Sequence, residues 1–397
     1  MPDRPLDGVR IVTVEQYGAG PYGSLFLAQL GAEVIKIENP AIGGDVSRHT
    51  GPYFLGEADS YFFQTFNQNK KSLTLNLKAP QGREILHKLA ACCEAVINNL
   101  RGDQPAKLGL DYAALKAANP AIVCGHLSAY GRQGERASWP GYDYLMQAEA
   151  GFMALTGEPD APPARFGLSM VDFMTGMMLA FGVTAAIVGA RASGVGRDMD
   201  VSLMDAAVHQ LSYPATWYLN EGHRTQRVAR SAHPSIAPSQ LYRTADGWLF
   251  IMAQTDKFWR KLCVLIDRPD LANDPRFDSQ AARRENRDAL TGVLDETLSA
   301  RPTAHWLAVL QGEVPAAPVN DMADALDNPL LADGQMLAGV PHPEAADMRM
   351  LANPIRVDGE RVTATRAPAL GEHTGEVLDM LGYSEADVAS LKDAKVI

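Results

Sequence analysis

A single carboxylate stands at the start of the longest uncharged stretch of this 397-residue sequence. Asp172 is the only charged residue between Arg165 and Arg191, and the residues from 173 to 190 are apolar, small or hydroxylated. An ionised carboxylate beside so much apolar surface is costly to desolvate unless specific groups hold it. Two roles fit the position: a cap that accepts N–H bonds at a helix N-terminus, or a nucleophile in a pocket that excludes water.

A glycine-rich turn near the N-terminus is the second candidate for chemistry. Gly18, Gly20 and Gly23 have the spacing G-x-G-x-x-G after the apolar segment 8–14, and a second apolar segment ends in Glu38. A glycine turn between a strand and a helix, with an acid about twenty residues further on, is typical of a dinucleotide-binding βαβ unit. The pattern predicts a helix N-terminus that can bind a phosphate group, without identifying the molecule that carries it.

The elements that must position these residues alternate between strand and helix in the first half of the chain. Strand-like segments are predicted at 8–14, 31–38, 73–78, 95–99 and 122–128, with helical segments between them. Such alternation predicts a parallel sheet covered on both faces. The sequence pattern changes near residue 222, which divides the chain into a large domain (1–221), a smaller α+β domain with its connectors (222–325), and a tail (326–397) that rejoins the large domain.

Composition excludes several classes of protein. The net charge of −11 comes from 47 acidic against 36 basic residues without long runs of one sign, so a nucleic-acid partner is not expected. The four cysteines have neither a C-x-x-C spacing nor histidines at metal-ligand intervals, which predicts reduced thiols and no metal site. The first residues lack an apolar signal segment, and the uncharged run 173–190 is predicted to be a core helix rather than a membrane span. We therefore expect a cytoplasmic protein.

The motifs, taken in order, resemble those of the family III CoA-transferases of the CaiB/BaiF type, the group that includes formyl-CoA:oxalate CoA-transferase. The resemblance covers nearly the whole chain. It includes Ala19-Gly20-Pro21, the segment 30–38, Gly44-Asp45 with Arg48, Asn69-Lys70-Lys71-Ser72, Lys107-Leu108-Gly109, Gly141-Tyr142-Asp143, Asp172 with Thr175-Gly176, and the segment 367–374. It implies an α/β fold in which both chain ends build a Rossmann-like parallel sheet, a smaller α+β domain, and two subunits interlocked as rings.

The resemblance also implies the activity and the site. Asp172 matches the family's nucleophile, which attacks an acyl-CoA thioester and passes through an aspartyl mixed anhydride and an aspartyl-CoA thioester. Coenzyme A is then a substrate, and no cofactor is bound permanently. Helix N-terminal N–H groups are expected to keep this carboxylate ionised against the effect of burial. The positions expected to contact CoA or substrate are Gln16, Gly18, Ala19, Asn39, Leu75, Lys78, Asn99, Leu100, Lys107, Tyr142 and Asp143.

The departures from the family pattern concern the substrate pair. Gly18 stands where the oxalate enzyme has a glutamine, although Gln16 lies two residues earlier, and Asn39 replaces an arginine. The segment 233–238 lies where that enzyme has a glycine loop over the intermediate. The acyl donor and the acceptor acid are therefore left open. Short dicarboxylates are plausible acceptors, and the arginines that could bind a second carboxylate are Arg48, Arg224, Arg227 and Arg230.

Three alternatives are compatible with the same residues. An α-methylacyl-CoA racemase would share the fold but needs a histidine base where this chain has Tyr142, a weak proton acceptor at neutral pH. A nicotinamide-dependent oxidoreductase would rest on the three glycines and Glu38 alone. A catalytically silent acyl-CoA-binding protein would keep the fold without using Asp172.

Overall fold

The computed structural model describes residues 4–397, and the chain forms two compact units. Unit 1 comprises the residues up to Ala150, Gly167–Leu211 and Pro329–Ile397, while unit 2 comprises Gly151–Phe166 and Ser212–Asn328. The prediction that both chain ends build one large domain is therefore confirmed. The division at 221/222 and 325/326 stays a prediction of domain extent, since unit 2 also includes 151–166 and 212–221.

Thirteen strands are found in the described residues. They are β1 (Arg10–Val14), β2 (Glu33–Glu38), β3 (Lys71–Thr74), β4 (Ala95–Asn98), β5 (Val123–Ser128), β6 (Arg197–Ser202), β7 (Ser239–Arg243), β8 (Trp248–Met252), β9 (Ala316–Pro318), β10 (Leu337–Gly339), β11 (Arg349–Leu351), β12 (Arg356–Val357) and β13 (Glu360–Arg361).

The helices of the same residues follow in chain order. They are α1 (Ala19–Gln29), α2 (Tyr61–Asn67), α3 (Pro80–Ala91), α4 (Pro105–Leu108), α5 (Tyr112–Leu115), α6 (Asp143–Glu149), α7 (Phe152–Leu155), α8 (Met170–Ser193), α9 (Leu203–Gln210), α10 (Ser212–Glu221), α11 (Asp256–Leu265), α12 (Gln280–Glu285), α13 (Arg287–Leu298), α14 (Thr303–Leu310), α15 (Met322–Leu326), α16 (Pro329–Asp333), α17 (Thr374–Met380) and α18 (Glu385–Asp393).

The centre of unit 1 is a six-stranded sheet in the order β3-β2-β1-β4-β5-β6, with every neighbouring pair parallel. The order reverses between β1 and β4, and in such doubly wound sheets ligands bind at that switch point, outside the carboxyl ends of the strands. Apolar strand residues such as Val12 and Ile35 are fully buried. Val377 and Leu391 from the C-terminal helices belong to the same apolar cluster, so the chain end completes the core around β3.

Unit 2 has its own apolar core under an antiparallel sheet in the order β7-β8-β9. The helices α11, α13 and α14 cover this sheet, and Trp259, Leu294 and Leu310 are fully buried in the cluster they form. The predicted α+β character of the middle of the chain is therefore found.

The long helix α8 begins two residues before Asp172 and packs against α1, β5 and β6. Within residues 4–397 it is the one helix whose length and composition would allow it to cross a membrane. Its sheet side is buried, whereas Phe181 and Val188 on another side are 78% and 65% exposed. One side of α8 therefore packs in the core and fixes the position of Asp172, while another side is exposed and apolar.

Candidate active site

Two neighbouring cavities open at the carboxyl end of the parallel sheet, where β1, β4 and β5 meet the start of α1. The larger has a volume of about 660 Å³ and the smaller about 140 Å³. Gln16 and Leu100 line both, so the two cavities share a wall. The larger is lined by Gln16, Tyr17, Gly18, Ala19, Val46, Asn99, Leu100, Arg101, Leu127, Ser128, Ala129, Trp139, Pro140, Gly141, Tyr142, Asp172 and Leu203.

Asp172 lies in the first turn of α8, and its half-buried side chain lines the larger cavity. Burial and, to a lesser extent, the nearby Asp143 carboxylate together raise the pKa of Asp172 to about 7, and within residues 4–397 no hydrogen bond to this carboxylate opposes the rise. Burial therefore outweighs the effect of the helix N-terminal N–H groups, the reverse of the balance that a nucleophile ionised at neutral pH was expected to need. At neutral pH the side chain is divided between a carboxylate and a carboxylic acid.

Asp143, rather than Asp172, has the capping role at this helix. One oxygen of the buried Asp143 side chain accepts the backbone N–H of Asp172 at 2.9 Å, and the other accepts the amide of Gln147 at 2.5 Å. Gln147 also donates to the carbonyl oxygen of Leu168 at 3.2 Å. The start of α8 is therefore tied to α6, and the Asp172 carboxylate has no hydrogen-bond or ion-pair partner among the residues that the structure describes.

The turn between β1 and α1 forms the wall beside Asp172. Gln16 exchanges two hydrogen bonds with the Asn99 side chain, which accepts its backbone N–H at 2.9 Å and donates to its carbonyl oxygen at 2.7 Å. Tyr17 has a left-handed backbone with a φ of 67°, and its N–H donates to Asp45 at 3.1 Å. A Cβ atom at Gly18 would lie 3.1 Å from Oδ2 of Asp172, so glycine lets the carboxylate approach the turn closely.

The other two glycines of the motif serve packing. A Cβ atom at Gly20 would lie 2.8 Å from Cβ of Asn99, and one at Gly23 would lie 2.3 Å from the carbonyl oxygen of Gly176. Gly176 in turn faces the carbonyl oxygen of Ala19, so the backbones of α1 and α8 touch at these positions. The spacing G-x-G-x-x-G is therefore explained here by the Asp172 site and by helix contact, which removes the observation that favoured a nicotinamide cofactor.

A buried network of charges lies behind the turn. Three ion pairs, each with essentially no exposed side-chain surface, are Lys70–Glu15 at 2.9 Å, Lys36–Asp45 at 2.8 Å and Arg48–Glu38 at 2.7 Å. Lys70 and Lys36 also donate to the carbonyl oxygens of Pro21 and Glu15. Burial lowers the pKa of Lys70 to about 8. The network thus holds both ends of the turn in place.

Three of the arginines considered for an acceptor carboxylate have other partners. Arg48 donates to both oxygens of Glu38 and is fully buried, so it is not available to a substrate. Arg227 donates to two carbonyl oxygens of unit 2, and Arg230 pairs with Asp295. The structure does not bring Arg48 to the cavity wall.

The residues predicted to contact CoA separate into three groups. Gln16, Gly18, Ala19, Asn99, Leu100 and Tyr142 line the larger cavity, whereas Asn39, Leu75 and Lys78 line the smaller one together with Gln16 and Leu100. Lys107 and Asp143 line neither. Lys107 lies on the surface and binds Asp103 at 2.6 Å, and Asp143 is buried behind Asp172.

Sequence reasoning missed several residues of this wall. Tyr17, which directly precedes the glycine turn, and Trp139 both line the larger cavity and are not among the predicted contacts. Arg101 also lines the cavity. Its signal in the sequence is its place immediately after Leu100, at the carboxyl end of a predicted strand.

Comparison with known proteins agrees with this geometry. The profile of CoA-transferase family III matches residues 6–374. The chain is 32% identical to a succinate–glutarate CoA-transferase of Agrobacterium fabrum over 95% of this chain and 96% of the relative, and 34% identical to a succinyl-CoA:mesaconate CoA-transferase of Haloarcula marismortui over 95% and 96%. A crystal structure of a CaiB/BaiF family protein from Brucella suis superposes with a TM-score of 0.82 at 34% identity, covering 96% of this chain and 100% of that chain. The chain therefore belongs to CoA-transferase family III.

Proposed function

We propose that this enzyme moves coenzyme A from a short acyl-CoA to a dicarboxylic acid, with Asp172 as the nucleophile. The observation that carries the proposal is the Asp172 carboxylate, which lies against Gly18 at the wall of a large cavity and has no hydrogen-bond partner in the described part of the chain. The two relatives named above are transferases for succinate, glutarate and mesaconate, all dicarboxylates, which supports that class of acceptor.

In this mechanism every step exchanges one acyl bond for another. The Asp172 carboxylate attacks the thioester carbonyl, and CoA leaves as a thiolate. The acyl group is then joined to Asp172 as a mixed anhydride. The thiolate then attacks the aspartyl carbonyl, releases the donor acid and leaves an aspartyl-CoA thioester. The acceptor carboxylate repeats the two steps in the opposite direction, so the new acyl-CoA departs and Asp172 is restored. No oxidant and no resident cofactor is needed.

The walls of the cavities match the demands of these steps. The first N–H group of α1, at Ala19, has no carbonyl partner within the helix, and Ala19 lines the cavity of Asp172, where this N–H can stabilise a developing oxyanion. Tyr17, Trp139 and Tyr142 also line this cavity and are 41%, 49% and 68% exposed, so we expect bound acyl-CoA to cover them and reduce the access of water, which would hydrolyse an anhydride. We place the nucleotide part of CoA in the smaller cavity, with Lys78 near its phosphates.

We also propose that the enzyme acts as a cytoplasmic homodimer. The exposed side of α8 carries Met177, Phe181 and Val188, which are 51%, 78% and 65% exposed. Exposed apolar surface of this kind is typical of an interface between protein chains. A second copy of the chain on this side of α8 fits the interlocked arrangement implied by the family resemblance.

Trapping the covalent intermediate tests the proposal directly. We expect incubation with succinyl-CoA, without an acceptor, to add CoA to a fraction of the protein. The added mass should disappear with hydroxylamine, because thioesters and anhydrides react with it, and peptide mapping should place it at Asp172. Modification at another residue, or none with any acyl-CoA, would contradict the proposed mechanism.

The pH dependence of the reaction should follow the pKa of Asp172. Because the carboxylate is the nucleophile, kcat/KM is expected to rise with pH to a plateau above the pKa of about 7, and to fall about tenfold per pH unit well below it. Asp143→Asn removes the neighbouring negative charge while keeping an acceptor for the Asp172 N–H. It should therefore move the midpoint of the profile to lower pH.

Kinetics of both proteins across about pH 5 to 9, a range that brackets this pKa, would show the shift. Asp393→Asn, at an exposed position of α18, is the matched control and should leave the midpoint in place. An unchanged midpoint in Asp143→Asn would show that the Asp143 charge does not act on the nucleophile.

A further inference from the structure

The larger cavity has one cationic side chain in its wall. Among the described residues that line it, only Arg101 is a lysine or arginine, and the only acidic residue is Asp172. The rest of the wall consists of uncharged side chains and backbone. A substrate that places a negative charge in this cavity away from the reacting carbon therefore has a single side chain of opposite charge to meet it.

Arg101 is held loosely by its own neighbours. Its closest acidic group is Asp103, but one oxygen of that carboxylate already accepts from Lys107 at 2.6 Å and from Gln104 at 2.7 Å. The guanidinium of Arg101 reaches the same oxygen only at 3.5 Å, and its Nε lies 3.3 Å from the other oxygen. Half of its side chain is exposed. Most of its five N–H donors are therefore available to another anion.

The backbone beside Arg101 is held by close packing, so the Cα atom of Arg101 has a defined position relative to the cavity. A Cβ atom at Gly102 would lie 2.1 Å from the carbonyl oxygen of Gly131, which shows how closely the two loops pack. Asn99, two residues before Arg101, is bound to the backbone of Gln16. Arg101 is thus attached to the same rigid wall that positions Asp172.

A dicarboxylic acceptor needs such a group. One of its carboxylates reacts at Asp172, and the other enters a cavity whose wall is otherwise uncharged, where an unpaired charge is costly. A guanidinium can bind a carboxylate through two parallel N–H bonds, which adds both affinity and orientation. Arg48, the other arginine close to the turn, is occupied by Glu38.

We propose that Arg101 binds the distal carboxylate of the acceptor and thereby selects dicarboxylic over monocarboxylic acids. The inference rests on the proposed function, since it assigns the acceptor to the cavity of Asp172. It makes Arg101 a specificity-determining residue, and it leaves the phosphates of CoA to other groups.

Steady-state kinetics with glutarate and with butyrate as acceptors test the inference. With acetyl-CoA as the donor, whose acyl group carries no second carboxylate, Arg101→Gln should raise the KM for glutarate about 10- to 100-fold, the usual effect of losing a charge-assisted hydrogen-bonded pair, and should leave the KM for butyrate and for acetyl-CoA within about twofold. Arg101→Lys should lie between wild type and Arg101→Gln for glutarate, because it keeps the charge without the fork.

Arg191→Gln is the matched control. Arg191 is an exposed arginine with one acidic partner, Glu94, near the other end of α8, and its loss should change neither acceptor. If Arg101→Gln raises the KM for the acyl-CoA donor, or weakens both acceptors equally, Arg101 acts on CoA and the inference is overturned. Circular dichroism and a thermal melt would show that the variants are folded.

Binding without turnover separates this inference from the proposed function. Saturation-transfer NMR should detect glutarate bound to wild type and no longer to Arg101→Gln at the same concentration. If wild type transfers CoA to no acid yet binds glutarate through Arg101, the proposed function fails and the inference stands. If wild type binds glutarate and butyrate alike, or Arg101→Gln binds glutarate as wild type does, the inference fails.

Discussion

Asp172→Ala is expected to abolish CoA transfer, with a loss in kcat of about 10³-fold or more, as is usual when a covalent nucleophile is removed. The physical reason is that the chain supplies the acyl acceptor itself. Without the carboxylate neither the aspartyl anhydride nor the aspartyl-CoA thioester can form. The enzyme then has no covalent intermediate through which CoA could pass from the donor to the acceptor. Asp172→Asn should be as inactive, because an amide of the same shape is a poor nucleophile.

The comparison of the two variants separates chemistry from structure. Because Asp143, and not Asp172, accepts the N–H bond at the start of α8, neither variant removes a cap. Both should therefore fold, and both should become slightly more stable near neutral pH and above, since an ionised carboxylate without a hydrogen bond is lost from a half-buried site. Acyl-CoA binding should be retained. Transfer by Asp172→Asn at the wild-type rate would show that another residue is the nucleophile.

Much of this site could be predicted from the sequence because its signals are local. Asp172 is conspicuous as a lone charge before an apolar helix, and the structure sets it in the first turn of that helix beside the cavity. The alternation of strand and helix predicted the parallel sheet. The glycine spacing also predicted the turn at Gly18. It did not identify the ligand, because the same spacing can arise from phosphate binding or from close packing of two helices.

The rest depends on contacts between residues far apart in the chain. Nothing local to Asp143 indicates that its carboxylate accepts the N–H of Asp172, and therefore nothing local predicts that the pKa of Asp172 is raised rather than lowered. The segment 73–78 alternates like a strand, but β3 ends at Thr74. The N–H of the next residue, Leu75, donates to the carbonyl oxygen of Glu38 at the end of β2. Leu75 and Leu77 are buried beyond the sheet, so the same alternation serves a different structure.

Gly176 lies where the backbones of α8 and α1 are in contact, so a larger residue there is expected to lower stability. Gly176→Ala is expected to lower the free energy of unfolding by about 1–2 kcal/mol, because overpacking a closed contact between helices costs about 2–3 kcal/mol and the gain of about 1 kcal/mol that alanine brings to a helix interior offsets only part of that cost. The new Cβ would lie 2.3 Å from the carbonyl oxygen of Ala19, 3.0 Å from the Gly23 nitrogen and 3.4 Å from the carbonyl carbon of Ala19. Backbone atoms cannot turn aside as a side chain can, so the helices must separate.

Separation of α1 from α8 would also reach the active site. Asp172 lies one turn before Gly176, and Gly18 lies directly before Ala19, so the contact that sets the distance between the two helices also sets the distance between the nucleophile and its turn. Gly23→Ala, which meets the carbonyl oxygen of Gly176 at 2.3 Å, should have the same two effects. Chemical denaturation would measure the loss of stability, and acyl transfer at a temperature where the variant is folded would measure the displacement.

The matched control for this contact is Gly375→Ala, in the first turn of α17. That glycine is exposed and has nothing within 4 Å of an added Cβ, so alanine there should leave stability unchanged or raise it slightly. If Gly176→Ala and Gly375→Ala unfold at the same denaturant concentration, the close contact between α1 and α8 is not tight enough to require glycine. If only Gly176→Ala and Gly23→Ala are destabilised, the glycine spacing of this chain is a requirement of helix packing that a search for nucleotide-binding motifs would misassign.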